Sequence, residues 1–209
     1  MIIEFDKAAP ETFYKILIGS VLPRPIAWVS TINKEGVPNL APFSFFTVAS
    51  SNPPVLCFAP ALKPEVIEGT QRGKPKDTLK NIQDTGEFVV NIVSHEIAEK
   101  MNQSSGSYPP GISEFEKAGL TTAPSTYVAA PRVAESLINF ECTLFQVISF
   151  GEHPGAGNLV LGRIKCAHMH ESVYNNGRVD LDVLHPIGRL AGSEYCAVKE
   201  RFIMARPEV

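Results

Sequence analysis

The chain has 209 residues, 44% hydrophobic and 20% charged, with mean hydropathy near zero, a composition that excludes a disordered or fibrous chain. A net charge of −3 and a pI near 6.0 give no electrostatic ground for nucleic-acid binding, although a local cationic patch could hold a small phosphate ligand. No run approaches the roughly 20 apolar residues of a membrane helix, and "MIIEFDKAAPETF" has no continuous apolar stretch, so neither a membrane span nor a signal peptide is expected.

From the N-terminus, "PETFYKILIGSV" (10–21) places Phe13, Ile16 and Leu17 at helical spacing and predicts a short helix ending near Gly19. Two strands follow, Ile26–Ile32 and Val37–Phe45, around the hairpin loop "NKEG". Asn52-Pro53-Pro54 predicts a turn, and Val55–Ala59 a strand after it, because tandem prolines exclude a regular central strand through that point. "KPKDTLKNIQDTGEFVVNIVS" reads as a helix capped by Asp77 and stopped by Gly86, then a strand over Glu87–Val93. Ser94 is expected to cap a second helix in "SHEIAEKMNQSS"; "GSYPPGIS" is a loop and "SEFEKAGL" a helical turn ending at Gly119. Strands return at Leu137–Phe150 and Asn158–His168, separated by "GEHPGAG". Long antiparallel runs joined by turns favour a single β-barrel domain spanning 1–209 over a doubly wound parallel sheet.

Cys57, Cys142, Cys166 and Cys196 form no CxxC pair, which suits reduced thiols in a cytoplasmic protein. There is no GxGxxG or Walker motif, and no GxSxG, HExxH or Cys-His arrangement of a hydrolase. Polar groups instead fringe the first hairpin, in "RPIAWVST" and "NLAPFSFF". Ser30 and Thr31 point to opposite faces of their strand, so only one can face a given cleft; the plainer alternative is that they merely end the strand. The start of the helix at Asp77-Thr78, preceded by Arg72, Lys74 and Lys76, suits a phosphate through backbone N–H groups, the helix dipole and cations; the alternative is a capped helix with solvated lysines. His168 and His170 share a strand face with only Glu171 as a nearby third ligand, so a strand end is favoured over a metal site. Asp180, Asp182, His185, Arg189 and Tyr195 crowd one turn-rich stretch, which fits either an acid–base pair or a hydrogen-bonded loop.

In order and spacing, "RPIAWVSTINKEGVPNLAPFSFFTVASSNPPVLCFA", "KDTLKNIQDTGEFVVNIVS", "SGSYPPGISEFEKAGL" and "RVAESLINFECTL" resemble the flavin reductase-like family, in the subgroup related to flavoredoxin. The resemblance implies a mainly β protein: a six-stranded antiparallel split β-barrel with a few short peripheral helices, binding FMN non-covalently, usually as a homodimer. It carries Ser30, Thr31, Asn39, Ala41, Pro42 and Ser44 over as cofactor neighbours, and Lys76, Asp77 and Thr78 as the phosphate segment. The implied activity is an NAD(P)H-dependent flavin reductase that passes electrons to an acceptor the sequence does not name. The alternatives are an FMN-binding electron carrier or flavin-storage protein without its own NADH or NADPH reaction, and, further off, a pyridoxamine-phosphate oxidase-like enzyme.

Overall fold

The computed structural model describes residues 1–109 and 111–208; Pro110, in the expected "GSYPPGIS" loop, lies outside them. Seven strands form one antiparallel sheet: β1 Ala27–Ile32, β2 Pro38–Phe43, β3 Phe46–Ser51, β4 Pro54–Phe58, β5 Glu87–Ile92, β6 Ile138–Ser149 and β7 Asn158–Met169. Their order is β2-β1-β5-β6-β7-β4-β3. The two edge strands are separated by only Ser44 and Phe45 in the chain, so the sheet has to curl until its edges meet, which makes it a barrel.

Packing explains the curl. Phe58 sits between Phe43 and Phe88, with ring centroids 5.2 and 5.6 Å away. Phe88 presses onto the β7 backbone at Gly162, where an added Cβ would stand 2.2 Å from the ring, so only glycine fits there. Helix α2, Asp77–Thr85, turns Leu79 and Ile82 into this same core, and Gly86 closes it in the left-handed conformation at φ 74°. β1 and β5 lack polar alternation because both faces are covered. The barrel core lies on one side, and residues 121–136 are strapped across the other. The strap is pinned by Ser30 Oγ donating to Pro131 O at 2.5 Å and Val133 N donating to Asn91 Oδ1 at 2.9 Å. Glu141 holds it as well, accepting from the N–H groups of Thr126, Tyr127 and Val128 at 2.7, 2.6 and 3.1 Å.

The expected antiparallel barrel with short helices is present, including α1 at Pro10–Ser20, and three details differ. The sheet has a seventh strand, β3, beyond the six that the resemblance implies, because "FTVASS" pairs with β4 from Phe46↔Phe58 to Ser51↔Pro54. Asp77 is the first residue of α2 rather than its cap: Lys76 holds the cap position and makes no side-chain capping bond. The helix expected after Ser94 is a 3-10 turn, His95–Ile97, followed by α3, Ala98–Gln103, since Ser94 is held in a bridge to Pro186. Among the described residues no helix is long and apolar enough to cross a membrane, and the four cysteines are free thiols.

Candidate active site

A cleft opens where β2, the N-terminus of α2 and the loop after α3 meet. One half, about 460 Å³, is walled by Asn39, Ala41, Pro42 and Phe43 of β2, by Leu62 and Lys63, by Lys76–Thr78, by Ser104–Ser107, and by Glu114 of α4, Glu114–Lys117. The second half, about 420 Å³, is lined by Tyr14, Arg24, Ser44, Arg189 and Tyr195 among others, and shares Pro42, Lys76 and Ser105 with the first. Each half lies within the size range of single small-molecule sites. Trp28 fixes one wall, since its indole Nε1 donates to Ser104 Oγ at 2.8 Å from a fully buried position in β1.

Beneath the first half runs a closed polar network. Asn39 Oδ1 accepts from Thr78 Oγ1 at 2.9 Å, and Asn39 Nδ2 donates to both carboxylate oxygens of Glu114 at 2.9 Å. Glu114 Oε2 also accepts from the buried Leu40 N–H at 2.9 Å. Burial pushes the Glu114 carboxyl above the usual range, with the Leu40 and Asn39 donors partly offsetting it. The upper wall has the opposite character. Lys76 lies with its Nζ 5.5 Å from the Phe43 ring centroid, and burial first, then the charge of Lys63, lowers its pKa. Among the described residues Lys76 has no carboxylate partner, whereas Lys63 stands 3.9 Å from Asp77. The first N–H groups of α2, at Asp77, Thr78 and Leu79, precede its first intrahelical bond, from Lys80 N to Lys76 O, and Asp77 and Thr78 line the same corner. A half-buried ammonium, a second lysine and helix N–H groups without intrahelical acceptors give this corner the chemistry to hold an anion beside an otherwise apolar wall.

A profile of the flavin reductase like domain matches residues 18–183. The chain belongs to the flavin reductase-like family. Among solved structures it is similar to nitrilotriacetate monooxygenase component B from Bacillus cereus, at 35% identity and a TM-score of 0.90 over 98% of both chains. It is similar to 2-nitrobenzoate 2-nitroreductase from Pseudomonas fluorescens at 33% identity and a TM-score of 0.86, over 99% of this chain and 96% of that one. Flavoredoxin of Desulfovibrio vulgaris shares the split-barrel fold at 22% identity and a TM-score of 0.71, covering 98% and 97% of the two chains.

In this flavin reductase-like protein most of the residues singled out in the sequence converge on one cleft. Asn39, Ala41, Pro42, Lys76, Asp77 and Thr78 line its first half and Ser44 its second. Ser30 and Thr31 do not line it. Both are fully buried, Ser30 under the strap and Thr31 beneath Asn39, where its hydroxyl accepts from Asn81 Nδ2 at 3.0 Å. Their hydroxyls set the positions of the strap and of the Asn39 network, one on each face of β1, as the alternation of a strand requires. Thr78 contributes its backbone, because its hydroxyl is spent on Asn39.

The Asp180–Tyr195 stretch does not gather into one site. Asp180 caps the helix Leu181–Leu184, Asp182 pairs with Arg201, and His185 Nδ1 lies 2.6 Å from Glu96 Oε1; only Arg189 and Tyr195 reach the cleft. His168 and His170 part company as well. His168 Nε2 is 2.5 Å from Glu141 Oε1, and His170 Nδ1 is 2.8 Å from Ser172 Oγ. Burial opposes ionisation of Glu141, but the Thr126 and Tyr127 N–H groups and His168 outweigh it and hold its pKa at about 2. Sequence reasoning missed Glu114 and Lys63, which the fold brings to the cleft from two separate segments.

Proposed function

We propose that this single-domain chain binds one FMN in the cleft and acts as an NAD(P)H-dependent flavin reductase, supplying electrons to a separate acceptor. Family membership makes a flavoprotein oxidoreductase; the observation that carries the finer reading is the anion corner at α2. Lys76 has no carboxylate partner among the described residues, and the first α2 N–H groups have no intrahelical acceptor, so a phosphate ester would give both a partner that the free protein does not supply. Riboflavin would leave that corner empty. FAD would need room for a second nucleotide beyond it.

When bound, FMN supplies the hydride and electron chemistry, and the protein supplies binding, orientation and exclusion of water. Lys76 and the α2 N-terminus would hold the phosphate. Asn39 is fixed in one rotamer by Thr78 and Glu114, so it presents a preset amide edge instead of a mobile side chain. Ala41, Pro42 and Phe43 offer an apolar wall that excludes water from one side. The chain needs no side-chain nucleophile for such a reaction, in keeping with the absence of a triad in its sequence. The similarity to a monooxygenase component at 35% identity and to a nitroreductase at 33% supports an oxidoreductase that works with an external acceptor.

The same reading includes a homodimer in the cytoplasm. Leu17, Val21 and Phe45 are exposed beside Pro23, Phe46 and Leu159 around an apolar groove of about 480 Å³, a surface that a second copy would cover. The experiment is a visible spectrum of the purified protein, an FMN titration by fluorescence, and anaerobic mixing of the loaded protein with NADH and with NADPH. Yellow protein carrying about one FMN per chain, bleached by either nucleotide, is the expected result. Colourless protein that fails to take up FMN overturns the reading, and FMN binding without bleaching converts it to an electron carrier.

A further inference from the structure

We propose that the second half of the cleft is a subsite for the anionic group of the second substrate, a phosphate or carboxylate held by Arg189 with Arg24 behind it. This rests on the flavin reading above, which assigns the α2 corner to the FMN phosphate. Arg24, Lys76 and Arg189 all line this half, and no carboxylate does so among the described residues.

The arrangement is electrostatically costly without an anion. Arg24 and Arg189 are bridged as antiparallel neighbours, Arg24 N donating to Arg189 O at 3.0 Å and Arg189 N to Arg24 O at 2.8 Å. Like charges set directly opposite on paired strands are destabilising. Arg24 is only 6% exposed, and its guanidinium donates to the carbonyls of Ile18, Val21 and Leu190 at 2.7, 2.9 and 2.8 Å. Its donors are nearly all satisfied while its charge has no carboxylate partner among the described residues, and burial, with Arg189 adding to it and Tyr14 partly opposing, lowers its pKa. Arg24 therefore contributes field, and Arg189 is the group that touches the ligand.

Arg189 is already aimed. One Nη donates to the Tyr195 hydroxyl and the other to Gly192 O, and the guanidinium carbon lies 4.4 Å from the centre of the Tyr195 ring. Among the described residues the Nε–H and one N–H on each Nη have no partner, a planar fork suited to two oxygens of one phosphate or carboxylate. Because this half joins the first through Pro42, Lys76 and Ser105, an anion anchored there leaves the rest of its molecule beside the cofactor's place.

The test uses FMN-loaded protein and the variants Arg189→Gln and Arg189→Lys. Anaerobic flavin bleaching is followed across NADH and NADPH concentrations, with inorganic pyrophosphate and benzoate as competing anions, and FMN affinity is measured in each variant. Expected in Arg189→Gln is a ten- to hundredfold rise in half-saturating nucleotide with FMN affinity changed less than twofold, a partial return in Arg189→Lys, and loss of competition by the anions. Pyrophosphate competing better than benzoate assigns the subsite to the nucleotide's phosphates; benzoate competing better assigns it to a carboxylate acceptor. Unchanged nucleotide and anion behaviour in Arg189→Gln overturns the proposal. So does a loss of FMN affinity that spares riboflavin, which would place the flavin phosphate here. Should the wild type take up no FMN, the flavin reading fails by itself; calorimetry of pyrophosphate and benzoate on the flavin-free protein then decides the subsite, binding lost in Arg189→Gln supporting it and no binding overturning it.

Discussion

Replacing Lys76 by alanine tests the phosphate corner most directly. The ammonium is half-buried against Phe43, carries a lowered pKa from burial and from Lys63, and has no acidic partner among the described residues. In the free protein its removal therefore relieves a desolvation cost and a repulsion, against the loss of some packing of its stem, so the flavin-free melting temperature should hardly move. With FMN bound the balance reverses. A charge-assisted contact to a phosphate contributes about 1.5–3 kcal/mol, which predicts FMN binding weaker by roughly tenfold to a hundredfold in Lys76→Ala. Riboflavin lacks the phosphate and should bind both proteins alike. The ammonium must be protonated to act, so above the pH at which the phosphate is fully ionised FMN affinity declines as pH rises through the lowered pKa, and this decline should vanish in the variant. Paired fluorescence titrations of FMN and riboflavin across pH provide the measurement. Equal losses for the two ligands, or no loss for FMN, would refute the assignment of the phosphate to α2.

Asp77→Ala should leave thermal stability within about 0.5 kcal/mol, because the side chain caps nothing, while FMN binding tightens slightly as the corner loses the acid that faces Lys63; a clear drop in melting temperature would restore a capping role. Glu141 has a folded pKa of about 2 against an ordinary 4.5, so its contribution is complete above pH 4.5 and is lost as pH falls towards 2. That contribution is on the order of 3 kcal/mol, and a pH series of urea melts should show it in the wild type and lack it in Glu141→Gln. Glu114 has the opposite sign: its raised pKa makes stability fall as pH rises through the window above the unfolded value, and Glu114→Gln should flatten that slope in the same melts. Light scattering should give twice the 22.8 kDa chain mass, and Phe45→Lys should return it to the monomer with its circular dichroism unchanged.

Local chemistry made much of this protein legible in its sequence. α1, the first hairpin, α2 with Gly86 at its end, and the two long strands β6 and β7 follow from periodicity and from glycine and proline, forces that act over a few residues. The motif order carried the family and, with it, most of the cleft. The failures lie where a distant partner decided the outcome. "FTVASS" is an unremarkable segment until β4 offers it a ladder. Asp77 looked like a cap by composition, but the chain enters α2 one residue earlier and its carboxylate faces Lys63. Ser30 and Thr31 have the residue types of a ligand-binding fringe, yet whether a strand hydroxyl meets a ligand depends on what covers each face. Here the strap covers one and the Asn39 network the other. Glu114, Lys63 and the pairing of Arg24 with Arg189 join residues as far as 165 positions apart in the chain, and only the closed barrel brings their charges close enough to interact.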